Sequence, residues 1–372
     1  AAKVELINNL ISGHPFVANK IWIKKGIFQS GYSNCYVDCA LHKAAYGNSV
    51  KNNSKKAIAA AIGEHLERLA LFNPLIKNNQ GIKYYVEAFN LVTGETINIP
   101  LEDVILEYGL PIFNDRDMSN AFSDTCGVAS HTSSDFALEA AFLEFIERQS
   151  LIHTWLTKKA GKLIPLNLLN NIDLKKIINM SRTYKGIQEF YLVDISITDE
   201  IKVVLALGFG KESFSIGAGA HWNIMNAIER AMNEYFQFMT GFWGNNDESE
   251  SSDGDLYYEY CNTLSPEAFK QEYKFVIDTK TQYNPYQFHK NTSQERINLS
   301  NKIRKVVEDL DISVYATFIP ERMDFNTKIV KVFSSDCYPH MNTALLNPMD
   351  YKFSSKFNQS IFKNLYRLIP FP

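Results

Sequence analysis

Apolar and polar residues along this chain follow the two spacings that distinguish helices from strands. Four stretches have apolar residues at helical spacing: 55–71, 135–160, 223–240 and 294–310. Four shorter stretches have the composition of strands: 189–195, 201–209, 312–318 and 328–333. The small-residue run 217–220 (GAGA) predicts a turn. Because helices and strands are interspersed without a regular βαβ order, the pattern predicts a mixed α/β or α+β fold.

The chain contains no stretch with the composition of a linker between domains. We therefore interpret residues 1–372 as a single domain. Residues 244–255 (GNNDESESSDGD) are acidic and contain no apolar residue, which is typical of a solvated loop. The prediction is thus one domain that carries an acidic loop.

The composition of the chain excludes several classes of protein. With 45% hydrophobic and 13% aromatic residues, the chain is not mainly disordered. Its 38 Lys and Arg against 41 Asp and Glu give a net charge of −3, which argues against a generally basic nucleic-acid binder or a polybasic membrane-surface protein. No apolar run approaches the roughly 18 residues that span a membrane. We therefore expect neither nucleic acid nor membrane among its partners.

The cysteines indicate a reducing compartment. Their number, 5, is odd, and no two of them stand in a CxxC pair. The beginning of the chain lacks the basic-then-apolar pattern of a signal peptide. We therefore expect reduced thiols in a cytoplasmic protein.

The most informative feature of the sequence is an internal echo. Residues 60–68 (AAIGEHLER) and 140–148 (AAFLEFIER) share the pattern A-A-apolar-x-E-x-apolar-E-R at an offset of 80. Residues three apart share a face of a helix, so each segment presents two carboxylates side by side. The first pair is Glu64 with Glu67, and the second is Glu144 with Glu147.

The second of these helices is expected to be buried, because residues 136–156 are apolar nearly all round. In such surroundings the like charges of Glu144 and Glu147 would each cost on the order of several kcal/mol unless they were neutralised. Divalent metal would supply counter-charge, and clustered carboxylates suit Mg²⁺, which usually completes its shell with water and nucleotide phosphates. A buried ion-pair network with Arg68 and Arg148 is the alternative that the residues leave open.

A third helix carries a related set of polar residues. Arg230, Glu234 and Gln237 fall at i, i+4 and i+7, so Arg could clamp a phosphate and Glu and Gln could ligate metal. The same spacing also fits an amphipathic surface helix. The familiar signatures GxxxxGK[ST], GxGxxG, GxSxG and HExxH are absent.

At these residues the chain resembles the YcaO family. The matching segments, in the family's order, are IGEHLER at 62–68, DTCGVASH at 124–131, LEFIERQSLIHTWL at 143–156, HMN at 340–342 and PFP at 370–372. They spread over most of the chain. The resemblance implies an α+β fold, with mixed helices and largely antiparallel sheets, in a single YcaO-type catalytic domain.

The resemblance implies an ATP- and Mg²⁺-dependent cyclodehydratase. In such enzymes a Cys, Ser or Thr side chain of a ribosomally made precursor peptide attacks the preceding amide carbonyl. ATP then phosphorylates the oxygen, and loss of phosphate leaves a thiazoline or oxazoline. The implied partners are that peptide, a leader-binding subunit resembling a ubiquitin-activating enzyme and a flavin-dependent dehydrogenase, in an oligomeric, bacteriocin-type synthetase. An enzyme that makes a thioamide or amidine, and a degenerate scaffold subunit, are the alternatives.

The resemblance also implies a set of site residues. The implied metal ligands are Glu64, Glu67, Glu144 and Glu147. The implied nucleotide contacts are Arg148 and Arg230. Pro370, Phe371 and Pro372 match the family's proline-rich tail, which is linked to catalysis.

Several positions depart from the family's pattern of ATP contacts. Where many members have a Ser, Asn, Glu and Gln series, the aligned residues here are Thr125, Thr132, Phe136 and Ala140. Ala60 replaces the Ser that precedes the first glutamate pair. Ser130 and Ser134 are expected to take over some of the lost contacts.

Overall fold

The computed structural model describes residues 2–4, 10–11, 14–15, 18–39, 45–72, 84–106, 122, 124–241, 256–292, 298–320, 326–356 and 362–372. The predicted acidic loop 244–255 lies outside the described residues, so it stays a prediction. Within the described ranges, every helix is too short or too polar to cross a membrane.

Strands and helices alternate irregularly along the described chain. The strands are β1 (Ala2–Val4), β2 (Leu10–Ile11), β3 (His14–Pro15), β4 (Ala18–Lys25), β5 (Ser33–Cys39), β6 (Gly47–Lys51), β7 (Tyr85–Asn90), β8 (Thr96–Pro100), β9 (Val128–His131), β10 (Lys162–Leu163), β11 (Ile187–Asp194), β12 (Lys202–Gly210), β13 (Phe214–His221), β14 (Tyr315–Phe318) and β15 (Lys328–Phe333). The α-helices are α1 (Ser54–Leu71), α2 (Ser134–Thr157), α3 (Ile172–Lys185), α4 (Ile224–Thr240), α5 (Leu256–Thr263), α6 (Pro266–Ile277), α7 (Pro285–Lys290), α8 (Leu299–Leu310) and α9 (Lys352–Lys356).

Antiparallel pairing joins most of these strands into three larger sheets. The first sheet has the order β1-β4-β5-β6, the second β10-β11-β12-β13, and the third β8-β7-β14-β15-β9. Each recorded ladder within these sheets is antiparallel. The α+β fold with mixed helices and largely antiparallel sheets is confirmed.

Helix α2 packs between the second and third sheets, where it contacts β13 on one side and β9 and β15 on the other. Its buried residues include Phe142 and Trp155, and it belongs to the largest hydrophobic cluster. Burying a side chain such as Phe142 stabilises the fold by roughly 1.5–3 kcal/mol. The predicted burial of this helix is confirmed.

The run 217–220 is a strand and not the predicted turn. It belongs to β13, which pairs with β12 in a register that joins Gly217 to Ala206. A Cβ at Gly217 would lie 2.2 Å from the Ala231 carbonyl oxygen of α4, and one at Gly219 would lie 2.4 Å from the Ala227 oxygen. The glycines let the backbone of α4 approach the strand closely. Close approach and tight turns both require glycine, so the local sequence alone does not distinguish them.

Asparagine side chains mark where two of the central helices begin. Asn53 Oδ1 accepts hydrogen bonds from Lys55 N at 2.8 Å and Lys56 N at 3.3 Å at the start of α1. Asn223 caps α4 in the same way. Each such cap stabilises its helix by about 1 kcal/mol.

Three strand–helix units repeat within the fold. β6 leads into α1, β9 into α2 and β13 into α4, with two residues between strand and helix in each case. β6, β9 and β13 are each the last strand of their sheet. Helix α1 also packs on β9, α2 on β13 and α4 on β6, so the units close into a ring. One face of each helix is thereby brought to a common centre.

Candidate functional site

Acidic and amide side chains line the centre of this ring at equivalent helix positions. The first position lies ten residues after the first residue of each helix, and the second lies three residues further. These positions are Glu64, Glu144 and Glu234, followed by Glu67, Glu147 and Gln237. The echo seen in the sequence therefore has a third copy in α4.

Backbone N–H groups of the edge strands hold two of these carboxylates. Asn48 N of β6 donates to Glu64 Oε2 at 2.9 Å, and Ala218 N of β13 donates to Glu234 Oε2 at 3.1 Å. Among the described residues, neither strand has a further strand on its outer side. The carboxylates thus satisfy backbone donors that would otherwise lack partners.

Each unit touches the next through its second position. The three contacts are Glu67 with Ser130, Glu147 with the Ala220 N–H, and Gln237 Nε2 with the Asn48 carbonyl at 3.3 Å. The predicted contact Ser130 is therefore at the cluster. Ser134 is not, because it is the exposed first residue of α2 and lies about 15 Å along the helix axis from Glu144.

Arginine side chains offset only part of the negative charge. Arg68 Nη2 lies 2.9 Å from Glu64 Oε1. Arg148 Nε lies 3.8 Å from a carboxylate oxygen of Glu144 and of Glu147. This Nε is buried and finds no hydrogen-bond partner among the described residues. Arg148 is thus close to two carboxylates, and its Nε–H remains available as a hydrogen-bond donor.

Arg230 and Lys51 add positive charge at the edge of the cluster. Arg230 is exposed and donates to the Ala220 carbonyl at 3.1 Å. Burial, together with the nearby charge of Arg230, lowers the pKa of Lys51. Neither cation forms an ion pair with a described residue. Two neighbouring positive charges favour the binding of an anion such as phosphate. Lys51 belongs to none of the sequence motifs, so the sequence does not predict its place at the site.

Burial and mutual repulsion raise the pKa values of the clustered carboxyl groups. Burial, with the charges of Glu144 and Glu64, raises the pKa of Glu67 well above its usual value. Burial, with the charge of Glu147, raises the pKa of Glu144 to about 8 and that of Glu234 to about 7. Burial also raises the pKa of Glu147. The cluster is therefore short of positive charge, which is the condition for binding a cation.

These shifts predict a fold that loses stability as the pH rises. Glu144 has its usual pKa of 4.5 in the unfolded chain and about 8 in the fold, so the folded state binds more protons between those values. The free energy of unfolding should therefore fall over that range, by on the order of several kcal/mol at about 1.4 kcal/mol per pKa unit. Denaturant unfolding at a series of pH values, with chelator present, measures this slope.

The Glu144→Gln variant should have a flatter pH profile, because the group that titrates is gone. Glu308→Gln is the matched control, since Glu308 is exposed on α8. A stability that rises with pH, or a Glu144→Gln profile as steep as that of the unmodified chain, would contradict the prediction.

A cavity of about 240 Å³ lies beside the cluster. Its charged lining residues include Glu64, Arg68, Arg148 and Glu234. Its aromatic lining residues are Tyr46, Phe238, Tyr257, Tyr258 and Phe371. A small organic group could therefore sit on an apolar surface while its polar atoms face the arginines.

The predicted tail reaches this cavity and is firmly packed. Phe371 and Pro372 line the cavity, and the Phe371 ring centre is 5.0 Å from Arg148 Cζ. Pro370 does not line it, but its carbonyl accepts a hydrogen bond from Tyr273 Oη at 2.7 Å. Phe371 is 1% exposed. The tail is thus a fixed wall of the site.

The donor set fits Mg²⁺ that is held only in part by protein. Within the described ranges, no three His, Cys, Asp or Glu side chains lie close enough to hold one ion by themselves. Mg²⁺ usually keeps several waters and binds one or two carboxylates together with substrate phosphates. The glutamate pairs of α1 and α2 match that pattern, and the spare donor of Arg148 suits a phosphate oxygen.

Two of the substituted positions, Phe136 and Ala140, lie on the same face of α2 as Glu144. Phe136, Ala140 and Glu144 follow one another at spacings of four along α2. Phe136 is exposed, and its ring centre is 5.0 Å from that of His131. This face of α2 therefore offers apolar contact where many family members offer polar groups.

Comparisons with known proteins identify the family of this chain. A sequence model of the YcaO family, described as YcaO cyclodehydratase, ATP- and Mg²⁺-binding, matches residues 77–333. The Escherichia coli microcin B17-processing protein McbD is 22% identical to this chain, covering 80% of this chain and 83% of McbD. The resemblance to the YcaO family is confirmed, and ATP and Mg²⁺ are the ligands that the family's description names.

Solved structures share the fold. A chain of the E. coli microcin synthetase McbBCD complex has a TM-score of 0.72 and 18% identity, with 100% of both chains covered. A YcaO protein from Methanopyrus kandleri, bound with AMPPCP and Mg²⁺, has a TM-score of 0.63 and 15% identity over 86% of both chains. At these identities the likeness shows the fold.

The family match does not extend over the whole candidate site. Residues 77–333 include the glutamate pair of α2, together with Arg148 and Arg230. Glu64 and Glu67 precede the matched range, and the tail 370–372 follows it. These residues join the site through the contacts of the ring and the cavity.

Proposed function

Because the chain belongs to the YcaO family, we propose that it is the ATP-dependent cyclodehydratase subunit of a synthetase that forms azoline rings in a ribosomally made peptide. The proposal is supported by one arrangement above all. Paired glutamates that lack sufficient counter-charge stand beside a small cavity, and residues 371–372 form part of its wall. A nucleotide–metal complex and a peptide amide would meet at that junction.

The reaction needs an oxygen to leave an amide carbon. In the proposed sequence, the Cys, Ser or Thr side chain loses its S–H or O–H proton and bonds to the preceding carbonyl carbon, which closes the ring, and the former amide oxygen takes the terminal phosphoryl group of ATP. The C–O bond then breaks, inorganic phosphate departs with that oxygen, and the C=N bond of the azoline forms as the ring nitrogen loses its proton. Phosphate is a far better leaving group than oxide, which is why ATP is consumed.

The chain's own residues would bind and orient the reactants. Bound Mg²⁺ supplies charge neutralisation for the triphosphate. Glu64, Glu67, Glu144 and Glu147 would hold it, and Arg148 and Arg230 would contact phosphate oxygens. Ser130 would orient Glu67. Phe371 and Pro372 would exclude water from the cavity, where the aromatic lining supports the peptide.

The partners follow from the same proposal. The microcin synthetase McbBCD complex is a multi-protein assembly, and a second structure of it has pro-MccB17 bound. We infer that this chain likewise works on a precursor peptide within an oligomeric assembly. A leader-binding subunit resembling a ubiquitin-activating enzyme and a flavin-dependent dehydrogenase would be its other components.

Reconstitution tests this function directly. The chain, the proteins encoded beside it and a neighbouring short Cys-, Ser- and Gly-rich peptide are incubated with ATP and Mg²⁺. We expect the peptide to lose one water per ring and one ADP and one phosphate to appear for each, whereas chelation of Mg²⁺ should stop both. Replacement of oxygen by sulfur would instead indicate a thioamide, and a chain that binds no ATP·Mg²⁺ would be a scaffold.

A further inference from the structure

A buried lysine and aspartate stand behind the cavity, and the proposed reaction does not use them. Lys331 lies on β15 and is 1% exposed, which places its ammonium group fully inside the protein. Its partner Asp124 is also buried and lines the cavity. A buried ion pair is tolerated only when its hydrogen bonds are complete. The hydrogen-bond partners of Lys331 and Asp124 therefore show which segments the pair holds together.

All three N–H donors of the Lys331 ammonium group are directed to one short loop. Its Nζ lies 2.9 Å from the Asp124 carbonyl oxygen, 2.6 Å from the Cys126 carbonyl oxygen and 3.4 Å from Asp124 Oδ1. An ammonium group has three hydrogens, so this set exhausts it. Gly127 ends the loop with a φ of +68°, and its carbonyl accepts a hydrogen bond from Val332 N at 2.8 Å. The lysine therefore fixes the loop 124–127 against β15.

Asp124 connects this loop to a second segment. Its Oδ2 accepts hydrogen bonds from Met341 N at 2.9 Å and from Cys126 Sγ at 3.0 Å, and its Oδ1 accepts from Cys126 N at 2.8 Å. Burial alone would raise the pKa of Asp124, but the charges of Lys331 and His340 hold it below its usual value. The aspartate is thus a charged and fully occupied acceptor.

The two segments that this pair joins both reach the cavity that Arg148 lines. Cys126 and Met341 both line the cavity together with Arg148. Gln149, the next residue of α2, donates to the Tyr338 carbonyl at 2.9 Å and accepts from Tyr338 N at 3.0 Å, which anchors the second segment to the helix. The surroundings of the Arg148 guanidinium are therefore set by contacts that lead back to Lys331.

We propose that Lys331 and Asp124 are positioning residues that hold the cavity wall around Arg148 in its working shape. They act through backbone carbonyls and N–H groups, because neither side chain has a free donor or oxygen left for a ligand. The inference rests on the proposed function for its catalytic consequence but not for its structural one. A displacement of reacting groups by 1 Å can cost on the order of a hundredfold in rate.

Two substitutions and their combination test the proposal. Lys331→Met keeps an unbranched side chain of nearly the same length and removes the charge and its donors. Asp124→Asn removes the charge, keeps one acceptor oxygen and replaces the other by an amide N–H donor. Lys331→Met alone leaves a buried carboxylate without its cation, so its thermal midpoint should fall; in the double variant the midpoint should largely recover. We expect kcat for ring formation to stay reduced by on the order of tenfold or more in the double variant, with KM for ATP little changed.

A double variant that regains both the midpoint and the unmodified kcat would overturn the proposal, because the pair would then only balance charge. Folded Lys331→Met enzyme with unmodified kcat would do the same. Lys176→Met is the control, since Lys176 is 62% exposed and pairs with Asp173 on the surface of α3. It should change neither quantity.

Thiol labelling gives a readout that does not depend on activity. Cys126 is half-buried in the cavity wall, whereas the other four cysteines are buried. In Lys331→Met the direct partner of the thiol, Asp124, is unchanged, and loss of the Lys331 charge, which lowers the pKa of this thiol, would by itself slow the reaction. Faster maleimide labelling of Cys126 therefore reports a loosened loop. We expect the rate to rise several-fold; an unchanged rate in the folded variant contradicts the positioning role. Should the unmodified chain form no rings, this arm still tests the inference while the proposed function fails.

Discussion

Glu144→Gln should reduce the turnover of ring formation by a factor on the order of 10² to 10³. The substitution keeps the size of the side chain but removes a negative charge that Mg²⁺ would need beside Glu147. A loss of several kcal/mol in stabilisation of the transferring phosphoryl group corresponds to this factor, at about 1.4 kcal/mol per tenfold. Glu147→Gln should have the same effect. Peptide mass spectrometry with ATP and Mg²⁺ measures the lost water.

The same variant should be more stable than the unmodified chain when metal is absent. It removes one of several buried like charges, and burial already raises the pKa of Glu144 to about 8. Glu139→Gln is the control on the same helix. The Trp222 indole N–H donates a hydrogen bond to Glu139 Oε1 at 3.0 Å, and glutamine keeps an oxygen that can accept it. This control variant should leave turnover within about twofold. Unreduced ring formation by Glu144→Gln would contradict the role of Glu144 as a metal ligand.

Removal of residues 370–372 should separate nucleotide binding from ring formation. A chain that ends at Ile369 keeps the glutamate pairs and Arg230, so its affinity for ATP·Mg²⁺ should change little. It loses two residues of the cavity wall and the ring that covers Arg148. We expect ring formation to fall on the order of a hundredfold as water enters the site. Calorimetric nucleotide binding and peptide mass measure the two quantities.

Phe371→Leu refines this test because it retains apolar bulk and removes only the aromatic ring. We expect a reduction on the order of tenfold, since a partly desolvated cation–π contact contributes about 1–2 kcal/mol. Phe288→Leu is the matched control: Phe288 is equally buried, at 2% exposed, but lies on α7 outside the cavity. Unmodified ring formation by the truncated chain would exclude a catalytic tail. A parallel loss of nucleotide affinity would assign it a binding role instead.

Local sequence patterns identify those features of this protein that depend on residues close together in the chain. The apolar circumference of α2 predicts its burial because a helix without a polar face has no way to meet solvent. The E-x-x-E-R spacing identifies the glutamate pairs because three residues make nearly one helical turn. The same spacing identifies the third unit only in part, since α4 carries Gln237 and Phe238 where the others carry Glu and Arg.

Features that depend on distant contacts escape this reasoning. The run 217–220 has the composition of a turn, yet its glycines are explained by the approach of α4. Lys331 and Asp124 are 207 positions apart and no local pattern pairs them. The cavity itself is lined by residues from eight separate parts of the chain, so only the folded chain reveals it. They lie in or beside β6, α1, the loop 124–126, α2, α4, α5, Met341 and the tail.

The hydrogen bonds from β6 and β13 to carboxylates also complete the inner edges of two sheets. The N–H groups of a buried outermost strand are met neither by a further strand nor by water, so a side chain has to accept from them. Here Glu64 and Glu234 occupy such groups at Asn48 and Ala218. Glutamine at positions 64 and 234 keeps an oxygen for that purpose, whereas alanine would bare the strand. Glu64 and Glu234 therefore belong to the hydrogen bonding of the sheets as well as to the acidic cluster, so an alanine variant would lose a backbone hydrogen bond in addition to a charge.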